Sequence, residues 1–325
     1  MFRSPDHFPP RQMAANRLIW LALILTGGVE YALLNLFNIE LVIQYKPLFI
    51  YLLCVCAAIS LFYRFVIHEK ALFLLGECIA QIVGSIFVVL LAASMGARME
   101  MPLADDWLLA ADHFIGFEWP AHARWLAAQP AWLGEFFRFC YNSYGAQIAL
   151  LIPLIFFFHH SDYGQRVVMM FYISGMLAAL CSTLLPAEGV FMHLGIDPAA
   201  LTPVVPAAPI LHSVGFYNMR HGDMTLIFPS LGLGTFPSLH AIMAVMMIYA
   251  SIPLERIRWP VIALNICMVI ATLFHGGHYL VDVIMGLVIA FTGIYWAERI
   301  LPPRSQAFSP ALNQVAIEGE TSPLA

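Results

Sequence analysis

Charged side chains are what this 325-residue sequence has least of: Asp, Glu, Lys and Arg make up 11%, against 61% hydrophobic residues and a mean hydropathy of +0.80. A soluble domain carries about 25% charged residues, so there is too little charge here to cover a water-facing surface. A soluble protein is excluded, and so is a disordered one. Basic charge is scarcer still. Fifteen Lys and Arg stand against 20 Asp and Glu, a net charge of −5, which supplies no field for a nucleic-acid partner. Six cysteines do not make a disulfide framework. Cys54, Cys56, Cys78, Cys140, Cys181 and Cys267 all lie inside apolar runs, where they read as buried thiols acting as small hydrophobes. Cys54-x-Cys56 has neither the spacing nor the His partners of a zinc site. No internal repeat is visible.

Apolar runs are what the sequence has in their place. A membrane-spanning helix needs about 20 mostly apolar residues. Runs of this kind lie at roughly 17–37, 47–67, 71–93, 133–158, 166–185, 238–254, 259–274 and 278–298, as read from hydrophobic pattern. The expected fold is all-α, a polytopic membrane bundle of about eight helices. The first run follows Arg3, Arg11 and Arg17 as a signal peptide would, but it contains Glu30 and Tyr31 and lacks a small-residue cleavage site, so it reads as an uncleaved helix. Between the third and fourth runs, Trp107, Ala111, Phe114 and Ile115 fall at helical spacing. They suggest an interfacial helix near 104–125, or else an ordinary amphipathic loop helix. The segment 301–325 is polar, rich in Pro, Ser and Glu, and reads as a disordered tail.

Orientation follows from the distribution of Lys and Arg. With the N-terminus in the cytoplasm, Arg3, Arg11, Arg17, Arg64, Lys70, Arg166, Arg256, Arg258, Arg299 and Arg304 lie inside, while only Lys46, Arg98, Arg124 and Arg220 lie outside. Both termini are then cytoplasmic. Segments 94–132, 186–237 and 275–277 face outward.

Two polar clusters interrupt the apolar pattern, and in lipid such clusters mark function. One is Arg220-His221-Gly222-Asp223 followed by Gly234-Thr235-Phe236-Pro237-Ser238-Leu239-His240; the other is His275-Gly276-Gly277-His278-Tyr279-Leu280-Val281-Asp282. One full span separates the two helix starts, so both lie on one side. His278 and Asp282 are i, i+4 on one helix face, where a carboxylate fixes the imidazole tautomer and leaves the second nitrogen to attack. Ser238 is a natural N-cap, and a helix N-terminus binds phosphate oxygens. Gly277 permits close backbone approach, and Arg220 offers a planar charged fork. This set suits a phosphoryl group and supplies no metal cage; no cofactor is implied. Taken singly, each signal also has an ordinary structural reading: an interface His, a helix start, a local hydrogen bond. Tyr141, Asn142, Tyr144 and Gln147 form a polar patch that either lines a pocket or makes interhelical bonds. Pro186-Ala187-Glu188-Gly189 reads as a plain turn.

FPSLHA followed by GGHYLVDVIMG resembles the type 2 phosphatidic acid phosphatase superfamily, nearest its branch that includes inositol phosphorylceramide synthases and bacterial relatives. Asp106-x-x-Leu109…Asp112…Gly116…Trp119 and Arg220-x-Gly222 are similar to bacterial members. The resemblance implies a six-helix core over 71–300 preceded by a two-helix extension at 1–70. It implies a bacterial inner-membrane enzyme acting on a membrane lipid phosphate ester. His278 would take the phosphoryl group as nucleophile, Asp282 would orient it, and His240 would protonate the leaving alcohol and then serve as base. Ser238 and nearby amides would hold phosphate oxygens. Where the family pattern has Arg six residues before the nucleophile, this sequence has Thr272, and the Lys…Arg-Pro motif is absent. Arg220, Arg138 and His275 are the candidates to replace that charge. The missing Arg favours a phosphotransferase over a plain phosphatase. The competing class is a lipid or solute transporter using the same cluster as a binding site.

Overall fold

The computed structural model describes residues 10–43, 46–158, 160–197, 201, 216–221, 225–228 and 234–303. The chain opens with α1 (Pro10–Leu36), β1 (Glu40–Ile43), α2 (Lys46–Phe62) with a π-helical turn at Tyr63–Ile67, and α3 (Lys70–Ala97). Then come α4 (Asp105–Phe114), α5 (Trp119–Ala127), α6 (Ala131–Asn142), α7 (Tyr144–Phe157), α8 (Ser161–Leu184) and the short α9 (Val190–His193). After α10 (216–221) and β2 (Thr225–Phe228), the chain ends with α11 (Leu239–Ser251), α12 (Arg258–His275) and α13 (Leu280–Ile300). β1 and β2 pair in parallel, Glu40 opposite Thr225 and Ile43 opposite Phe228.

The protein is an all-α integral membrane bundle. Helices α1, α3, α8, α12 and α13 are each long and apolar enough to cross a membrane, and α6 with α7, bent by 45°, makes a sixth such span if the pair is taken as one, so five or six candidate crossings stand where about eight were expected. The remaining two apolar runs form α2 and α11, which are shorter. The bend falls at Ser143, whose hydroxyl donates back to the Cys140 carbonyl at 2.7 Å and accepts from Gln147 at 2.9 Å. Such local side-chain insertion is a regular cause of kinks. Near 104–125 the chain forms two helices, α4 and α5, with a turn at Gly116 between them.

Lipid tails are as apolar as Leu, so helices in a membrane associate through close packing and polar bonds. The most extensive contact is α3 on α8. There a Cβ on Gly175 would lie 2.6 Å from Val89, so the two backbones approach where a side chain is missing. Helix α1 is held to α3 by polar bonds instead: Asn16 and Trp20 donate to the Glu77 carboxylate at 3.0 and 2.6 Å, and Gln81 donates to Asn16 at 2.6 Å. All six cysteines are free thiols. Against the expectation of six buried thiols, only Cys56, Cys78 and Cys140 are buried; Cys181 and Cys267 are half-buried, and Cys54 is exposed because Cys56 and Ser60 face α3 at Gly76 and Cys54 lies off that face. Of the tail at 301–325, positions from 304 onward lie outside the described residues.

Candidate active site

Asp282 lies in the first turn of α13, and His278 sits just before the N-cap Tyr279, so the two meet across the helix start and not along one helix face as the i, i+4 spacing predicts. Imidazole Nδ1 of His278 lies 3.3 Å from Asp282 Oδ2, and both residues are buried. The same oxygen accepts the Tyr279 amide at 2.9 Å, as an acid near a helix N-terminus should. A carboxylate only accepts, so Nδ1 carries the proton and Nε2 is left with its lone pair. Gly276 makes room for this ring: a Cβ there would sit 2.4 Å from the His278 Cδ2.

The amides at the start of α13 are not open to a ligand. Asp112, fully buried on α4, accepts from Leu280 and Val281 and from the Trp119 indole, each at 2.9 Å. Burial pushes the Asp112 carboxyl up, and these donors pull it back. Asp105, one face-repeat earlier on α4, accepts the Glu188 and Gly189 amides at 3.1 and 3.0 Å and the Tyr279 hydroxyl at 2.9 Å. Burial, reinforced by the Asp105 charge, raises the Tyr279 phenol, which stays a donor.

The α11 start docks onto the same place. The Ser238 amide donates to the Asp282 carbonyl at 3.0 Å, and Gly286 lets α13 pass where a Cβ would lie 2.5 Å from the Ser238 carbonyl. The Ser238 hydroxyl is buried and caps α11, accepting from Ala241 at 3.4 Å. His240, half-buried in that first turn, lies face to face with Tyr141 at 3.7 Å and edge-on to Tyr144 at 5.3 Å. Tyr141 is also 6.4 Å from the ring of His275. The turn Pro186–Gly189, which reads as featureless in sequence, closes the arrangement. Ala187 accepts the Thr235 amide at 3.0 Å, and Gly277, at a φ of +63°, accepts the Val190 amide at 3.1 Å. Both motifs therefore lean on one loop.

Of the eight site residues expected from sequence, the structure brings His278, Asp282, Ser238 and Gly277 into one bonded unit, with His240 one turn away. His275 has a structural contact: its Nε2 meets the Gly134 carbonyl at 2.9 Å, tying α12 to α6. Arg138 is exposed and paired with Glu135, lining a groove of about 520 Å³ at the α6–α7 bend with Asn142, Gln147 and Leu264. Arg220 donates to the Met101 carbonyl at 2.6 Å and lies over the Phe216 ring. Its neighbour Tyr217 is bonded to Glu188, which pushes that phenol up to about 12. Thr272, standing where the family pattern has Arg, is buried with its hydroxyl on the Val269 carbonyl at 2.6 Å.

Several buried polar atoms at this end have no hydrogen-bond partner among the described residues: Tyr141 Oη, Thr235 Oγ1, His275 Nδ1, Asp282 Oδ1 and Arg220 Nη1. Such atoms are costly unless a ligand or water satisfies them. Sequence reasoning missed Asp105 and the Glu188–Gly189 turn, and it placed Thr235 in the polar cluster without giving it a role. The seven-residue spacing of Asp105 and Asp112 is the available signal, since it repeats one helix face. Asp105, Glu188 and His193 also bring ligand-type atoms within 4.8 Å of one another, but the Asp105 oxygens already accept three bonds.

A family model described as PAP2 superfamily matches residues 106–296, more than half of the chain. No curated protein and no solved structure matches.

Proposed function

The chain belongs to the PAP2 superfamily, and from that premise we propose that it is a membrane enzyme moving a phosphoryl or phospho-headgroup from a lipid phosphate ester through a phosphohistidine. The observation that carries this reading is the buried His278–Asp282 pair at 3.3 Å, joined through the Asp282 carbonyl to the start of the helix bearing His240.

In the first step His278 Nε2 attacks phosphorus, the P–N bond forms, and the P–O bond to the lipid alcohol breaks. His240 gives its proton to the departing oxygen. In the second step His240 takes a proton from water or a second alcohol, whose oxygen attacks phosphorus and releases His278. Asp282 keeps the Nδ1 proton in place and balances the imidazolium-like charge as the P–N bond forms. The unpartnered Thr235 hydroxyl and Arg220 Nη1 supply donors for phosphate oxygens. Water as acceptor makes a phosphatase; an alcohol makes a transferase of the inositol phosphorylceramide synthase type. Thr272, whose hydroxyl is spent on its own helix, leaves the site poorer in cations than the family's phosphatase pattern and favours the transferase. The Lys and Arg distribution supports an outward-facing site with cytoplasmic termini.

The test is purified protein beside His278→Ala in mixed micelles with a broad lipid extract, followed by mass spectrometry of lipids and free phosphate. The expected result is lipid turnover in the wild type and a loss of at least about 10³-fold in the variant, with melting unchanged. A new headgroup lipid identifies a transferase, and free phosphate a phosphatase. Equal turnover in both proteins removes His278 as nucleophile.

A further inference from the structure

We propose that Tyr141 is a positioning residue for His240, holding its ring in one orientation and favouring its protonated form. The inference rests on the reading of His240 as the acid–base group.

The geometry constrains the imidazole from two directions. Tyr141 covers one face at 3.7 Å with planes 19° apart, and Tyr144 meets the ring edge-on at 5.3 Å and 88°. The stack limits tilt, and the edge contact limits rotation within the stack. Both tyrosines flank Ser143, where the chain bends by 45°. Tyr141 and Tyr144 thus reach one histidine from the two sides of the bend.

The electron-rich face of a phenol attracts a cation more than a neutral ring. A face-on Tyr141 therefore stabilises the imidazolium over the imidazole. A general acid must begin the reaction protonated, with a pKa near the working pH, and burial alone would push a histidine the other way. The titratable groups at this end are Glu135, Arg138, Cys140 and Tyr141 on α6, Tyr144 on α7, Cys267 and His275 on α12, and His278 and Tyr279 just before α13 with Asp282 in its first turn; past Arg166, α8 contributes Tyr172 and Cys181 and nothing charged. Glu135 and Arg138 are exposed and paired with each other, and Tyr141 lays its ring face on His240. Tyr141 itself is buried, at 5% exposure, so the stack is shielded from competing water.

The test needs no substrate. Full-length protein carrying ¹³Cε1-labelled histidine, in detergent micelles, is titrated by NMR, with His240→Gln assigning the resonance. The expected wild-type signal is shifted upfield by the Tyr141 ring current. Its titration midpoint falls by roughly half a pH unit in Tyr141→Leu and stays in place in Tyr141→Phe, which keeps the ring. If Tyr141→Leu does not fold, a cross-peak between the His240 and Tyr141 rings in the wild type decides the matter. An unshifted wild-type signal, a missing cross-peak, or equal midpoints in wild type and Tyr141→Leu overturns the proposal. Full lipid turnover by His240→Gln would instead sink the acid–base reading while leaving the stack standing.

Discussion

The two ends of α8 lie in polar clusters built on different terms, roughly 36 Å apart for a helix of this length. At its N-terminal end Arg166 is 2% exposed and every guanidinium nitrogen is used: Nε on Glu298 at 2.9 Å, Nη1 on the Asp162 carbonyl at 3.1 Å, Nη2 on the Pro302 carbonyl at 2.6 Å. Tyr249 bonds the other Glu298 oxygen. At its C-terminal end the Pro186–Gly189 turn leads into a cluster where Arg220 uses Nη2 and leaves Nη1 buried without a partner, and where Asp282 likewise uses one oxygen of two. Arg166 is saturated and clamps α8 to α13, although Gln12, bonded to Ser161 and Asp162 at the same end, keeps a buried Oε1 without a partner among the described residues. In the second cluster the spare Arg220 Nη1 is a donor, which is what an incoming anion requires, whereas the spare Asp282 Oδ1 only accepts. Burial of charge alone does not separate structure from function; the kind of valence left spare does.

The largest effect expected from breaking this contrast comes from Asp112, the fixed part of the second cluster. Asp112→Ala strands the Leu280 and Val281 amides and the Trp119 indole, each now bonded to a buried carboxylate. The cost is roughly 3–5 kcal/mol of stability, with loss of turnover because the start of α13 holds Asp282 and the His278 just before it. Thermal unfolding in detergent measures it, and an unchanged melting temperature would deny Asp112 its anchoring role.

The two arginines sharpen the comparison directly. Arg166→Met removes a saturated clamp and should cost about 2 kcal/mol of stability, discounted because Glu298 remains partly exposed, while kcat/KM stays as it was. Arg220→Met should do the reverse: little change in melting and about a tenfold fall in kcat/KM. Matching kinetic losses in both variants would erase the distinction between the ends.

What the sequence made legible follows from where the chemistry is local. His278 and Asp282 could be paired on paper from their i, i+4 spacing, and the structure brings them together, though His278 precedes α13 and the contact spans the helix start instead of one helix face. All eight apolar runs reappear as helical segments for the same reason of periodicity, though α2 and α11 fall short of a full crossing. The Tyr141–His240 stack was not legible, since it joins α6 to α11 across about a hundred residues and no local spacing announces such a contact. Nor was the part played by Glu188 and Gly189, because backbone amides in a turn look alike until a buried acid such as Asp105 claims them. Arg138 is exposed and paired with Glu135, three residues earlier, the local pair that the i, i+3 spacing also suggests.

The smallest expected effect is a pH dependence confined to the second cluster. His122 on α5 is packed among the rings of Phe117, Trp119, Trp125 and Phe274, with Nε2 at 3.1 Å from the Leu273 carbonyl, two residues before His275. Burial lowers its pKa, with the Leu273 bond partly opposing. The folded state therefore prefers the neutral ring. The stability this contributes is present above the ordinary histidine value of about 6.5 and is lost as pH falls through the lower folded value. His122→Gln keeps a donor for Leu273 without a titrating group, so the gap between wild type and variant should shrink on acidification from pH 7.5 to 5.5. Hydrogen exchange locates the change: α5 and the end of α12 should open faster in acid in the wild type, and the Arg166 end of α8 should not. Equal acid sensitivity at both ends, or in both proteins, would mean that His122 is not the group responsible.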